Sequence, residues 1–223
     1  MAIQLKNTAQ VAVNGLKVLV YGHAGAGKTT LAASMPAPII ISAEGGLLSI
    51  KDAGLDYIEV NSMDSLMEAF EYVQASGDKY SSVVLDSISE IGEVVLIHEK
   101  RINKDGRAAY GEMAVQMTSI IRAFRDMAGK HVLMTAKVEK AQDESGRILY
   151  SPSMPGAKVG QQLPYFFDEV LALRVEKDAE GVAQRALMCD GDGIWLAKDR
   201  SGKLASWELP DMGAIIAKIG GAV

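Results

Sequence analysis

The most constraining feature of the sequence is a glycine-rich stretch, GHAGAGKTT, that directly follows the apolar run LKVLVY at residues 16–21. It contains the spacing Gly22-x-x-x-x-Gly27-Lys28-Thr29, with a strand pattern before it and a helical pattern after it. Glycines permit backbone angles that other residues avoid, and they let the main chain approach a ligand closely. The backbone N–H groups of such a loop converge on one place, where an anion is stabilised. The sequence therefore predicts a phosphate-binding loop, or P-loop.

This loop predicts that the chain binds a nucleoside triphosphate together with Mg²⁺. We expect Lys28 to reach the β- and γ-phosphates and the Thr29 hydroxyl to bind the metal. The residues expected to contact the nucleotide are the loop and the first residues after it: Gly22, His23, Ala24, Gly25, Ala26, Gly27, Lys28, Thr29 and Thr30.

Length and composition predict one domain over residues 1–223, with a short N-terminal extension at 1–14, because 223 residues with 48% hydrophobic content suffice for a full core. The net charge of −5 argues against a chain that coats nucleic acid through overall positive charge. Cys189 is the only cysteine, so an internal disulfide and a Cys-rich zinc site are excluded. Neither a membrane-spanning run nor a signal peptide is recognisable, and we expect a cytoplasmic protein with no membrane partner.

Strand and helix patterns alternate along the chain. Helices are predicted at 63–75, behind a Ser62 N-cap, and at 112–127. Short apolar runs predict strands at 16–21, 38–42, 57–60, 82–86, 131–136 and 168–175. This alternation predicts an α/β fold with a mostly parallel central sheet flanked by helices on both faces.

The C-terminal third has a different pattern. RALMCDG and GIWLAKD, separated by glycine and aspartate at 190–193, predict an antiparallel hairpin at the sheet edge, and a short helix is expected from Asp211.

Two carboxylates end predicted strands after the P-loop. Asp86 ends SSVVLD and is expected to hold the Mg²⁺ shell, although an aspartate there can also serve only as a helix cap. Glu44 follows the strand PIIIS and could polarise an attacking water, or be an ordinary exposed acid. The histidines His23, His98 and His131 show no metal-ligand spacing.

Together, GHAGAGKTT, IISAEGGLLSI, VVLDSIS and HVLMTAKVEK resemble the RecA-type ATPase core. More narrowly, these segments and the block PSMPGAKVGQQLPYFFDEVLAL resemble the RecA-core single-strand annealing proteins of bacteriophages, which are sometimes grouped with archaeal RadB-like proteins. The resemblance implies ATP as the nucleotide, P-loop roles for Lys28 and Thr29, and Asp86 in the metal shell. It also implies that Glu44 is the general base of hydrolysis, with Ser87 assisting.

The resemblance further implies two segments that line a path for single-stranded DNA. Basic residues near aromatics, in glycine-containing flexible loops, suit that ligand, because charges neutralise the backbone while bases stack. Interspersed acids such as Glu99 and Asp143 leave ordinary solvated loops as an alternative. The DNA-binding candidates are Lys100, Arg101, Lys104 and Arg107 in the first segment, and Lys137, Lys140, Arg147 and Lys158 in the second.

By the same resemblance, Lys198 and Arg200 are two cations that reach the ATP site of a neighbouring subunit; the alternative is a charged surface turn. A homo-oligomer, filament or ring, is therefore expected, and a single-strand DNA-binding protein is a further candidate partner. The chain departs from the family pattern where RecA-type cores carry a γ-phosphate-sensing glutamine, because Thr135, Ala136 and Lys137 occupy that place. The segment before the first strand is also shorter than the usual polymerisation segment.

These observations predict a RecA-like ATP-hydrolysing recombination protein that binds single-stranded DNA and promotes annealing or strand pairing. Two alternatives remain open: a nucleotide-binding partner protein without significant turnover, and a P-loop kinase that acts on a small acceptor.

Overall fold

The structure, a computed structural model, describes residues 15–220; the predicted extension at 1–14 lies outside the described residues. The strands are β1 Lys17–Gly22, β2 Pro38–Ser42, β3 Tyr57–Glu59, β4 Ser82–Asp86, β5 His131–Gln142, β6 Ile148–Pro152, β7 Glu169–Lys177, β8 Ala183–Met188, β9 Lys198–Asp199 and β10 Trp207–Glu208. The helices are α1 Lys28–Ala32, α2 Met63–Ala75, α3 Ile88–Ile102, α4 Gly106–Arg125, α5 Ala157–Gln162 and α6 Met212–Ile219. Shorter 3₁₀ segments lie at Leu47–Ala53, Gly77–Lys79 and Leu163–Phe166.

The ten strands form one sheet, whose main path runs β10-β8-β7-β1-β5-β4-β2-β3. The strands from β7 to β3 along this path pair in parallel. Four strands pair in the antiparallel sense: β6 pairs with β5, β8 and β9 pair with β7, and β10 pairs with β8. The predicted α/β class, with a mostly parallel sheet and an antiparallel edge, is therefore confirmed.

Helices cover both faces of the sheet because the parallel strands are apolar on both sides. Leu19, Ile41 and Leu85 point to the face covered by α2, α3 and α4. Val20 and Val84 point to the opposite face, which packs against α1 and α6. This arrangement leaves the carboxyl ends of the strands as the edge where polar side chains collect.

The helix signals read from the sequence correspond to real caps. The α2 helix has the predicted bounds, and Ser62 and Ser65 form a reciprocal capping box at its start. The predicted helix at 112–127 corresponds to the second part of the longer α4, which ends two residues earlier, at Arg125. Asp211 caps α6 by accepting a hydrogen bond from Ala214 N at 3.1 Å.

The predicted hairpin across residues 190–193 is wrong. The β8 strand instead turns back on β7, and residues 194–196 run beside β6. Tyr150 N donates to Ile194 O at 2.7 Å, and Leu196 N donates to Tyr150 O at 3.0 Å. Since β7 and β10 already occupy both edges of β8, the segment after the turn finds its backbone partners on β6.

Cys189 follows β8 and is buried as a free thiol. Burial raises the pKa of this thiol to about 12. Between residues 15 and 220, no helix is long and apolar enough to cross a membrane.

Candidate functional site

The glycine-rich loop joins β1 to α1 at the carboxyl edge of the sheet. Gly25 and Gly27 have φ values of 74° and 103°, which are left-handed angles that favour glycine. The Lys28 ammonium folds back over the loop and donates to the carbonyl oxygens of Gly22 and His23, both at 3.0 Å. Lys28 therefore lies over the loop, and its contact with the β- and γ-phosphates stays a prediction.

Asp86 lies beside the loop, fully buried at the end of β4. Thr29 Oγ1 donates to Asp86 Oδ2 at 2.7 Å, and Thr135 Oγ1 donates to Asp86 Oδ1 at 2.5 Å. Thr135 belongs to the place where RecA-type cores carry a glutamine; here its hydroxyl fixes the orientation of the carboxylate. The structure thus brings together the two residues predicted to bind Mg²⁺.

Glu44 reaches the same site from the neighbouring strand. In the parallel register Ser42 of β2 lies opposite Asp86, and Ala43 N donates to Asp86 O at 2.9 Å. Ser87, joined to Asp86 by a cis peptide bond, donates its hydroxyl to Glu44 Oε1 at 2.5 Å. One oxygen of the Glu44 carboxylate is held in this way, while the exposed side chain remains accessible to solvent.

The charges around the loop suit a metal-bound polyphosphate. Burial lowers the pKa of Lys28, and the Glu44 and Asp86 carboxylates oppose this shift. No cluster of three His, Cys, Asp or Glu side chains that could enclose a metal exists in residues 15–220. A hydroxyl and one carboxylate beside a phosphate loop nevertheless fit Mg²⁺, which usually takes few protein ligands and completes its shell with phosphate oxygens and water. Thr29 and Asp86 would hold it.

Sequence reasoning missed a further cation in this site. Arg185, on β8, donates from Nε to Ala26 O of the loop at 3.1 Å. It lines the same cleft of about 650 Å³ as Lys28, Thr29 and Glu44. No local motif could reveal this, because the hydrogen bond joins residues 159 positions apart in the chain.

An aromatic cluster on the other side of the loop also escaped the sequence analysis. The rings of Tyr150 and Trp195 stack with centroids 4.3 Å apart, and the His23 ring meets both edge-on, at 6.2 and 5.8 Å. The Tyr21 hydroxyl lies 3.1 Å from Tyr150 O and 2.8 Å from Leu196 O. The loop and its strand are therefore in direct contact with the β5–β6 hairpin.

The two predicted DNA segments are regular elements, so the expectation of flexible loops is wrong. Lys100 and Arg101 lie in the last turn of α3, Lys104 in the turn that follows, and Arg107 in the first turn of α4. Asp105 caps α4 by accepting from Arg107 N at 2.9 Å, which explains why so polar a segment is helical.

The second segment forms the β5–β6 hairpin and α5. Lys140 lies on the hairpin, Lys158 lies on α5, and Arg147, at the hairpin turn, forms an ion pair with Asp143 at 3.0 Å. Lys137 forms an ion pair with Glu90, and this contact raises its pKa.

The two segments lie next to each other. The Lys100 ammonium lies 5.2 Å from the centre of the Tyr110 ring. A Cβ placed on Gly156, just before α5, would lie 3.9 Å from Tyr110 Cδ1. The segment before α5 therefore lies close to Tyr110 of α4, whose ring Lys100 also contacts.

Lys198 and Arg200 lie far from the P-loop of their own chain. They sit at the amino end of β7, whereas the loop follows the carboxyl end of the parallel neighbour β1. Lys198 Nζ donates to Pro164 O and Phe167 O, both at 2.7 Å, and Arg200 forms an exposed ion pair with Asp168 at 2.9 Å. Action on a phosphate would therefore require a second copy of the chain, and this role stays a prediction.

Comparison with known proteins gives one family. The family of the AAA domain matches residues 14–201. No curated protein matches the chain. Among solved structures, a KaiC-like protein from the hyperthermophilic archaeon Pyrococcus horikoshii OT3 is similar, with 16% sequence identity over 78% of both chains and a TM-score of 0.45.

Proposed function

The chain belongs to the AAA domain family and has a P-loop ATPase core, and from this premise we propose that it hydrolyses ATP in order to act on single-stranded DNA. The proposal includes the binding of Mg-ATP in the P-loop cleft, hydrolysis with Glu44 as general base, and the annealing or pairing of DNA strands. It assigns the chain to the type of the phage RecA-like and RadB-like recombination proteins that its motifs resemble.

One observation carries the hydrolytic part: the Glu44 carboxylate, held by Ser87, lines the same cleft as Lys28 and Thr29. A water placed between Glu44 and the terminal phosphate would give its proton to the carboxylate as its oxygen bonds to the γ-phosphorus. The bond from that phosphorus to the β,γ-bridging oxygen breaks, and ADP leaves. Lys28 stabilises the charge on the phosphate oxygens, and Mg²⁺, held by Thr29 and Asp86, would neutralise charge on the same oxygens.

The adjoining basic elements support the DNA part. The Lys100 ammonium over the Tyr110 ring combines a cation and an aromatic ring, as in single-strand binding surfaces. Arg101, Lys104 and Arg107 add charge at the α3–α4 turn, and none of the three forms an ion pair within residues 15–220. Local positive charge of this kind supports DNA binding by a chain whose net charge is negative.

Contacts between the loop and the hairpin provide a route for ATP to influence DNA. His23 belongs to the P-loop, and Tyr150 belongs to the hairpin that carries Lys140 and Arg147. A nucleotide that displaces the His23 ring would therefore alter the packing of the hairpin. This contact offers a substitute for the sensor glutamine that the sequence lacks.

The decisive experiment measures the ATPase rate with and without single-stranded DNA, alongside Lys28→Ala as the control with weakened nucleotide binding. We expect DNA to stimulate the wild-type rate. ATP binding without turnover in any condition would favour a non-catalytic partner protein, whereas turnover that needs a small phosphoryl acceptor would favour a kinase.

DNA binding is tested separately by its dependence on salt. Each phosphate that a lysine or arginine contacts releases its counterions and contributes about 0.7 to the slope of log affinity against log salt for single strands. The double variant Arg101→Ala, Lys104→Ala should lower this slope by about 1.4 if each residue makes one such contact. The control is Lys79→Ala, which removes a lysine paired with Asp56. An equal slope in the double variant would remove the α3–α4 turn from the DNA surface.

A further inference from the structure

Arg185 stands out because it is a cation in an anion-binding cleft with no acidic partner. The only hydrogen bond of its side chain within residues 15–220 joins Nε to Ala26 O, and none of the ion pairs there involves it. The terminal guanidinium nitrogens are thus left with their donors unused. Lys28 shares the cleft, so an anion bound there would be stabilised by both charges.

The side chain lies against the loop itself. A Cβ placed on Gly27 would lie 3.5 Å from Arg185 Nε and 3.6 Å from its Cδ. Because Gly27 is the N-cap of α1, the guanidinium lies beside the loop backbone at the point where the helix begins. A phosphate bound by the loop N–H groups would be within reach of its two free nitrogens.

The order of the strands in the sheet indicates which phosphate of the nucleotide Arg185 would contact. Glu44 follows β2 and Asp86 ends β4, both on one side of β1 in the sheet, while Arg185 comes from β8 on the other side. The carboxylates mark the end of the cleft where the terminal phosphate reacts. Arg185 therefore flanks the opposite end, towards the α-phosphate and the nucleoside.

We propose that Arg185 binds the α-phosphate of the nucleotide held by its own subunit. The inference rests on the proposed function, because it assumes that the P-loop binds ATP. A guanidinium binds phosphate through two parallel hydrogen bonds, a geometry that lysine cannot reproduce. Since ATP and ADP share the α-phosphate, Arg185 contributes to ground-state binding of both nucleotides and leaves the chemical step to Glu44 and Lys28.

The test compares wild type with Arg185→Gln and Arg185→Lys in affinity for ATP and for ADP, measured without DNA. Loss of a charge-assisted hydrogen bond should weaken both nucleotides by about tenfold or more in the glutamine variant. The lysine variant should recover only part of this loss. At saturating ATP the turnover should stay within about twofold of wild type, because uniform binding affects KM and not kcat.

A matched control separates a contact of Arg185 with the nucleotide from a purely structural role of its side chain. Lys79→Gln removes one exposed positive charge that is paired with Asp56 and should leave both affinities unchanged. If Arg185 served only to hold the loop through its hydrogen bond to Ala26 O, the Arg185→Gln variant would unfold at a lower temperature without nucleotide. The Arg185→Lys variant would then not restore the affinity for nucleotide. We expect equal melting temperatures in the absence of nucleotide.

Unchanged affinity for both nucleotides would overturn the proposal, as would a loss confined to ATP with a fall in kcat, which would place the guanidinium at the terminal phosphate. Failure of the proposed function looks different: wild type itself would bind neither nucleotide, or Lys28→Ala would bind both as wild type does.

Discussion

Ser87 donates its hydroxyl to Glu44 Oε1, and this hydrogen bond links the residues that follow two neighbouring parallel strands. The carboxylate is thereby fixed by a group that also caps α3, since Ser87 Oγ accepts from Glu90 N at 3.4 Å. A carboxylate held in this way is already oriented, which suits the general-base role that we propose for Glu44.

The first prediction concerns this pair. Glu44→Gln should retain ATP binding but lower kcat by about two to four orders of magnitude, the range expected for a positioned general base. Ser87→Ala should cause a smaller loss, because the base remains but is no longer oriented. Single-turnover hydrolysis measures both effects. A Glu44→Gln protein with the wild-type rate would place the base elsewhere.

The second prediction concerns the P-loop lysine. Lys28→Ala should weaken Mg-ATP binding by about tenfold to a hundredfold, because a charge-assisted contact to phosphate is lost. Titration calorimetry measures the affinity, and thermal unfolding without nucleotide checks that the fold survives. Wild-type affinity in a folded variant would exclude the loop as the phosphate site.

The third prediction concerns the contact between loop and hairpin. His23→Ala should bind ATP nearly as wild type does, since the His23 ring faces Tyr150 and Trp195. The stimulation of its ATPase rate by DNA should be about fivefold or more below that of wild type, because coupling between two distinct sites usually changes affinity by at least this factor. Basal and DNA-stimulated rates measured together give the coupling. Full stimulation would show that ATP and DNA communicate by another route.

The fourth prediction concerns assembly. Arg200→Ala should bind ATP normally yet lose on the order of 10³-fold in kcat if the guanidinium reaches a neighbour's phosphate. Asp168→Asn is the matched control, because it breaks the same ion pair and keeps the cation. Lys198→Ala is less clean, since Lys198 also holds the carbonyl groups of Pro164 and Phe167.

Mixing two inactive variants tests the same assembly prediction in the opposite direction, by recovery of activity. Arg200→Ala added to Glu44→Gln should regain activity, because one interface in the mixture pairs an intact Glu44 with an intact Arg200. A wild-type rate per molecule that is independent of protein concentration, together with no complementation, would show a self-sufficient monomer.

The fifth prediction concerns stability against pH. Burial raises the pKa of Glu169 to about 8, and Asp199 beside it adds to the shift. The folded chain keeps a proton that the unfolded chain loses near its ordinary pKa of 4.5, so this contribution is full below pH 4.5 and lost as pH rises through about 8. The free energy of unfolding should therefore fall over this interval. Glu169→Gln should flatten the dependence, whereas the exposed Glu71→Gln should not.

Much of this site could be predicted because it is local in sequence. Thr29 belongs to the loop motif, and Asp86 and Glu44 end apolar strands whose parallel order brings them together. Arg185 could not be predicted, since it reaches Ala26 only through the turn of β8 back onto β7. A pattern within one segment carries no information on such a contact.

The errors have the same physical origin. Residues 190–193 have the composition of a hairpin turn, yet the partners of β8 were already decided by the turn at 178–182, where Asp178 N and Val182 O close the β7–β8 connection at 3.0 Å. The polar segment around Asp105 was expected to be a flexible loop because of its many charged residues, and the role of Asp105 as the N-cap of α4 was not recognised. A backbone hydrogen bond decided the first case, and a hydrogen bond from a backbone N–H to a side chain decided the second.

The burial of Cys189 makes this chain well suited to spectroscopic labelling. Its thiol is the only one in the sequence and, with a pKa raised to about 12, remains almost entirely protonated and unreactive at neutral pH. A cysteine introduced at the exposed hairpin turn, as in Ser145→Cys, would take up a dye or spin label alone. The position of the hairpin during nucleotide turnover can therefore be followed without first removing the native cysteine.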